Sequence, residues 1–210
     1  HAVLYRMNAM SGPIERALIK NAIPYRIIGG HKFYDRMEIK DMLAYLSVVN
    51  NPADKVRLQR IINVPKRGIG DTTVTRANEI ADLLGVSLFE VFKTADEYDV
   101  LKRSAEKLKA FTAMIERIAD TALGAPLADV LNQILDETAY VESLRAEPEK
   151  FDDRVQNLNE LSATLVRFSE ENPEGSLNDY LEEVALLTDI DNYNAEAEAV
   201  VLMTLHSAKG

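Results

Sequence analysis

Residues 62 to 73, Ile62-Asn63-Val64-Pro65-Lys66-Arg67-Gly68-Ile69-Gly70-Asp71-Thr72-Thr73, make a Gly-Ile-Gly turn entered by two cations and left through an aspartate that can open a helix. Glycine lacks a Cβ and tolerates positive φ, so a chain turning at Gly68 and Gly70 can bring backbone N–H groups against a phosphate oxygen at a helix N-terminus. Lys66 and Arg67 would supply charge, and Gly68, Ile69, Gly70 and Thr72 the close approach. Leu58, Ile61 and Ile62 before the turn, and Val74, Ala77, Ile80, Ala81 and Leu84 after it, recur at helical spacing. The stretch therefore reads as helix, hairpin, helix, with Ile69 plugging the gap. Such a turn grips DNA without reading its sequence. An ordinary αα-turn with glycine after the first helix fits the same residues, and the window alone leaves the two open.

Outward from the turn, Ala2-Val3-Leu4-Tyr5-Arg6 and Tyr25-Arg26-Ile27-Ile28 read as short buried strands. Between them a helix is expected from Pro13 to Asn21, capped by Ser11. Val200 to Leu205 reads as a third buried strand. Helices are expected over 36–49, 55–63, 71–84, 87–93, 99–121, 126–145, 151–171 and 176–188. Asp71, Ser87 with Glu90, Pro126 and Ser176 mark starts, Glu147-Pro148-Glu149 and Asn172-Pro173-Glu174-Gly175 are turns, and the acidic stretch 189–198 is a loop. The result is a mainly α chain, a helical domain inserted into an α/β domain, with strands only near its two ends. Because buried strands need partners, all three strands are expected in one sheet.

The 210 residues are 47% hydrophobic, enough for one good core or a domain plus a smaller piece. No cysteine occurs, which excludes disulfides and thiolate metal sites. No signal peptide or long apolar run is present, and a start at His1 in strand pattern suggests a fragment of something longer. The net charge of −10 disfavours a polyanion partner, yet residues 1–70 hold 12 Lys/Arg against 5 Asp/Glu. The acidic balance belongs to the remainder, so the basic part, which includes the Gly-Ile-Gly turn, is where a phosphate backbone would sit. Lys107 and Lys150, in the acidic part, should be bystanders.

The chemistry-bearing candidates elsewhere are few. Thr204-Leu205-His206-Ser207-Ala208-Lys209-Gly210 follows a strand, where α/β proteins place ligand sites, but no Walker A loop is present. His206 as a loop histidine and Arg6 as a salt-bridged strand end remain open alternatives. Tyr25, Phe33, Tyr34 and Tyr45 read as core, and Arg154 and Asn157 as packing contacts. Asp152-Asp153 and the acids of 189–198 read as a solvated face without metal-site spacing.

Four blocks, in this order, resemble the UvrD/PcrA/Rep family of superfamily 1 DNA helicases. They are Ala2-Val3-Leu4-Tyr5-Arg6 with Asn8-Ala9; Ile23 to Gly30 continuing through Phe33-Tyr34-Asp35-Arg36 and Glu38-Ile39-Lys40-Asp41; Ile61 to Gly70; and Leu202 to Gly210. The resemblance covers the whole chain and implies a helical 2B subdomain (31–195) with a helix-hairpin-helix-like unit. It also implies a remnant of the second RecA-like motor domain, 2A (1–30 and 196–210). It assigns single-strand contacts to Arg6, Asn8, Thr204 and His206, and duplex contacts to Lys40 and to Lys66 through Gly70 with Thr72. An ATP-site edge would begin at Lys209 and Gly210. No catalytic residue, metal or complete cofactor site falls in the chain, and ATP and Mg²⁺ would belong to the parent enzyme. The implied partners are a duplex/single-strand DNA junction, the other motor domains and a repair or transcription protein, with no membrane, in a bacterial cytoplasm at the nucleoid. The alternative role is a protein-interaction or autoinhibitory module. Met10 and Gly12 stand where the family carries Gln and Arg.

Overall fold

The computed structural model of the chain describes residues 1–193 and 199–209. In chain order the elements are β1 (Ala2–Tyr5), α1 (Ser11–Lys20), β2 (Tyr25–Ile28), α2 (Met37–Asn50), α3 (Lys55–Ile61), α4 (Asp71–Leu84) and α5 (Leu88–Lys93). There follow α6 (Ala105–Ala122), α7 (Leu127–Thr138), α8 (Tyr140–Ser143), α9 (Pro148–Glu171), α10 (Leu177–Tyr193) and β3 (Val200–Thr204). The chain is mainly helical, as the periodicity implies. It divides into two compact units, one of His1–Lys40 with Leu144–Gly210 and one of Asp41–Ser143.

The first unit holds a three-stranded sheet of order β1-β3-β2 in which both pairings are parallel. Tyr5 lies opposite Thr204 and Ile28 opposite Met203, so the three strands end on one edge. The last strand in sequence sits between the first two. The strands are not buried runs, a correction to their sequence reading: only Tyr5 and Leu202 are fully enclosed, and Leu4 is 50% exposed. Side chains alternate between the faces of a strand, and here every second residue of β1 and β2 faces outward. Helix α1 packs on α10, and α9 packs on the 3₁₀ turn Asn8–Met10.

Several boundaries move for local reasons. Ser11 does not cap α1 but is its first residue, fully buried, with its hydroxyl accepting from Arg36 at 2.5 Å. Pro148 opens α9 at a position where its missing N–H is harmless, so Glu147-Pro148-Glu149 starts a helix rather than forming a separate turn. Ser176 and Asp179 cap α10 reciprocally, through Asp179 N–H to Ser176 Oγ at 3.3 Å and Ser176 N–H to Asp179 Oδ2 at 2.8 Å. No glycine or proline follows before Tyr193, so residues 189–193 are helical where a loop was expected. The rest of that expected loop, 194–198, lies outside the described residues.

The second unit is helical throughout. Its core includes Tyr45, Leu58, Phe92, Phe111, Ile115 and Leu131, and α5 packs against both α4 and α6. The helix expected over 99–121 starts only at Ala105, after 3₁₀ turns at Ala95–Glu97 and Lys102–Ser104. The one expected over 126–145 breaks at Ala139, which takes φ +51°. That break lets the buried Tyr140 hydroxyl donate to Asp41 at 2.6 Å, a carboxylate that also accepts from Arg60 at 2.7 Å. No helix among the described residues is long and apolar enough to cross a membrane.

Candidate nucleic-acid interface

In the second unit the hairpin between α3 and α4 is built by side chains that point into it. Asn63 Oδ1 accepts the N–H of Arg67 at 2.7 Å and of Ile69 at 3.4 Å, closing the turn from inside. The Arg67 guanidinium faces the same way: Nη1 donates to the carbonyls of Ile61 (2.9 Å), Ile62 (3.2 Å) and Val64 (3.2 Å), and more weakly to Pro65 (3.4 Å). Its Nη2 donates to the Tyr45 hydroxyl at 2.6 Å, which in turn donates to the Val64 carbonyl. Burial raises the Tyr45 pKa, against the pull of Arg67, and so keeps the phenol protonated as a donor. Ile69 is 1% exposed and fills the gap between the helices.

The outer face of the same turn is bare. Lys66, Gly68, Gly70, Asp71 and Thr72 are exposed. Among the described residues no acceptor meets the N–H groups of Gly68, Gly70, Asp71 or Thr72. Three of these belong to the N-terminus of a helix fourteen residues long, where the backbone carries partial positive charge. The glycines differ. Gly68 has φ +68°, whereas Gly70 has φ −79° and an extended backbone, so positive φ lies at Gly68 and not at Gly70. Lys107, expected to be a bystander, donates to the Gly68 carbonyl at 3.1 Å and is part of the hairpin.

In the first unit the parallel strands release their C-terminal ends together. Gly29, after β2, has φ +75°, and a Cβ there would meet Ser207 Oγ at 2.4 Å. Ser207 N–H donates to Thr204 Oγ1 at 3.1 Å, and the two hydroxyls lie 3.0 Å apart. A Cβ on Gly30 would lie 3.7 Å from Asn8 Oδ1. Thus Asn8, Gly29, Gly30, Thr204 and Ser207 gather at one sheet edge, flanked by the exposed Arg6 and His206. Lys209 is exposed beyond them, and Gly210 lies outside the described residues.

Asn8 is already engaged. Its amide donates to Asp153 Oδ2 at 3.0 Å, and its carbonyl accepts from Arg36 Nη2 at 2.9 Å. Arg36 also donates to Asn157 at 2.6 Å, and Asn157 donates to Glu38 at 2.5 Å. Burial lowers the Arg36 pKa while Glu15 and Glu38 oppose it, and burial raises that of Glu15 against hydrogen bonds from Ser11 and the Phe33 N–H. Sequence reasoning gave Asp153 to a solvated face; it is exposed, yet it holds the strand-end asparagine. Within Glu38-Ile39-Lys40-Asp41, only Lys40 is exposed, paired with Asp35 at 2.6 Å. Gly12 leaves no room for a side chain: a Cβ would lie 3.0 Å from the Phe33 ring and 3.3 Å from Glu160 Cγ. Among the described residues no group of three or more His, Asp or Glu side chains is arranged to hold a metal.

Comparison with known proteins identifies the family. The family model for the UvrD-like helicase C-terminal domain matches residues 1–210. The chain is 39% identical over 216 residues to the ATP-dependent DNA helicase PcrA of Bacillus subtilis, and 37% identical over 212 residues to that of Staphylococcus epidermidis. The PcrA of Staphylococcus aureus is 36% identical. In each case all of this chain aligns, to 29% of the relative's length. With a family model spanning its whole length and these relatives beside it, the chain belongs to the UvrD-like helicase C-terminal domain family.

Proposed function

We propose that the chain is the duplex-gripping and regulatory part of an ATP-dependent 3′ to 5′ DNA helicase, a bacterial cytoplasmic enzyme of DNA repair or replication. The assignment is a 2B subdomain over 31–195, with a helix-hairpin-helix-like unit, tethered to strands of the 2A motor domain at 1–30 and 196–210. The observation that carries it is the hairpin's outer face: four amides, of Gly68 in the turn and of Gly70, Asp71 and Thr72 at the start of α4, meet no acceptor among the described residues and lie beside the exposed Lys66. A duplex phosphate offers the acceptor and the charge this face lacks, and the contact reads no base. In this reading Lys40 adds attraction, and Arg6, Asn8, Thr204 and His206 meet the single strand at the sheet edge. ATP and Mg²⁺ chemistry belongs to the parent enzyme, with Lys209 and Gly210 at its edge, so the purified chain should show no DNA-stimulated ATP turnover.

The test is binding of the full-length protein to a duplex with a 3′ single-stranded tail across a salt series. Lys66→Ala should weaken binding for every sequence alike and reduce the magnitude of the salt slope by about one. An unchanged slope would remove Lys66 from the interface. A second reading, a protein-interaction or autoinhibitory module for a repair or transcription partner, is favoured by Leu83 and Val56, which are 84% and 76% exposed. Salt-independent junction binding together with loss of a protein contact on Leu83→Ser would select it.

A further inference from the structure

The geometry points to Arg67 as a positioning residue of the hairpin and not a phosphate ligand: its guanidinium, latched to Tyr45, holds the turn in the shape that leaves the amides of Gly68, Gly70, Asp71 and Thr72 outward. This rests on the duplex-gripping reading above and deepens it. Of the two adjacent cations, Lys66 is exposed and meets no partner among the described residues, whereas Arg67 is half-buried and spends its guanidinium on main-chain oxygens.

The carbonyls it collects belong to Ile61, the last residue of α3, and to Ile62, Val64 and Pro65 in the turn that follows, and the Ile61 carbonyl also accepts the Val64 N–H at 3.0 Å. A cation there also complements the negative end of the helix. Turning Arg67 out to a phosphate would withdraw its donors from all four carbonyls at once and leave the Tyr45 hydroxyl without the hydrogen bond it accepts. The guanidinium carbon also lies 5.1 Å from the Phe111 ring centre and 6.0 Å from that of Tyr45, which fixes the plane of the fork. A lysine ammonium at this position lacks the planar fork that reaches several carbonyls and a phenol at once. Asn63 carries the shape onward, because it accepts from the Arg67 and Ile69 amides on either side of Gly68. Tyr45 is fully buried, so it acts on DNA only through this latch.

The experiment compares Lys66→Ala, Arg67→Lys, Arg67→Ala, Tyr45→Phe and the Tyr45→Phe/Arg67→Lys double variant in the full-length protein, by duplex affinity across a salt series and by amide hydrogen exchange without DNA. Arg67→Lys and Tyr45→Phe should each weaken duplex binding about tenfold with the salt slope unchanged, and the double variant should bind no worse than Arg67→Lys alone. Exchange at the Arg67 and Ile69 amides should quicken at least about tenfold in both single variants and stay as in the wild type for Lys66→Ala. The proposal is overturned if Arg67→Lys binds like the wild type while Arg67→Ala loses one unit of salt slope, since that is a phosphate contact. It is equally overturned if exchange at those two amides is unchanged in both Arg67→Lys and Tyr45→Phe. Wild-type binding without salt dependence would sink the duplex-gripping reading, and the exchange measurement would still decide the latch.

Discussion

The hairpin of the second unit and the strand-end cluster of the first both turn on glycine, but they use it for opposite ends. At the hairpin, side chains fold inward and the backbone is left bare on the outside. At the strand ends, the backbone is drawn tight so that side chains of different strands meet, as Gly29 does under Ser207. The hairpin leaves its backbone amides without acceptors, whereas at the strand ends the polar groups satisfy one another: the Asn8 amide donates to Asp153 and the Thr204 and Ser207 hydroxyls lie 3.0 Å apart. Replacing the glycines one at a time breaks the comparison open.

The largest effect belongs to Gly29→Ala. It combines left-handed φ with a Cβ pressed onto Ser207, and should cost about 2 to 3 kcal/mol, read as a lowered midpoint in denaturant. Gly68→Ala comes next. Its φ is similar, but the atom it would meet, Lys107 Nζ at 2.8 Å, is the end of a flexible chain and can swing away. That leaves about 1 kcal/mol of backbone strain, measurable in the same titration. If Gly68→Ala proves the more damaging of the two, the Lys107 contact is rigid and the hairpin is built more tightly than its hydrogen bonds indicate.

Acid sensitivity should separate the regions too. The folded pKa of Glu15 is raised above its unfolded value by burial, so the native state binds more protons than the unfolded one and stability falls as pH rises from about the ordinary glutamate pKa through the raised value. Glu15→Gln should flatten that fall in pH-dependent melts, and substitutions at the hairpin should leave it as it is. The smallest effect is that of Gly70→Ala on stability, within about 0.5 kcal/mol, because its φ is ordinary and a Cβ there meets nothing within 4 Å. A loss of duplex affinity in that well-folded variant would mark Gly70 as a point of close DNA approach.

Much of this was legible in the residues. Period 3.6 revealed the helices, the strand patterns at both ends predicted a shared sheet, and Ile69 between two glycines read correctly as a plug. The misses share a cause, which is that a tertiary partner decided the outcome. Nothing near Ala139 announces a left-handed break, since its reason is the distant Asp41 waiting for Tyr140. Arg67 and Lys66 are adjacent cations on a loop, and only the carbonyls of Ile61, Ile62, Val64 and Pro65 and the phenol of Tyr45 set their surroundings apart. One usable signal was passed over: asparagine four residues before Arg67 and six before Ile69 is well placed to bond a turn's amides. Pro148 was another, a residue that opens helices as readily as it makes turns.

The sheet order β1-β3-β2 also sets a timetable for synthesis. The strand that joins the other two is made only after residues 29–199, so β1 and β2 emerge with the place between them unfilled. The unit of residues 41–143 is one uninterrupted segment whose contacts are comparatively local, and it can fold while the chain is still growing. The first unit must wait for residue 204. Until then the edges of its first two strands stand open to any extended chain nearby, and it is this half of the molecule, not the helical half, that a nascent-chain chaperone would have to shield.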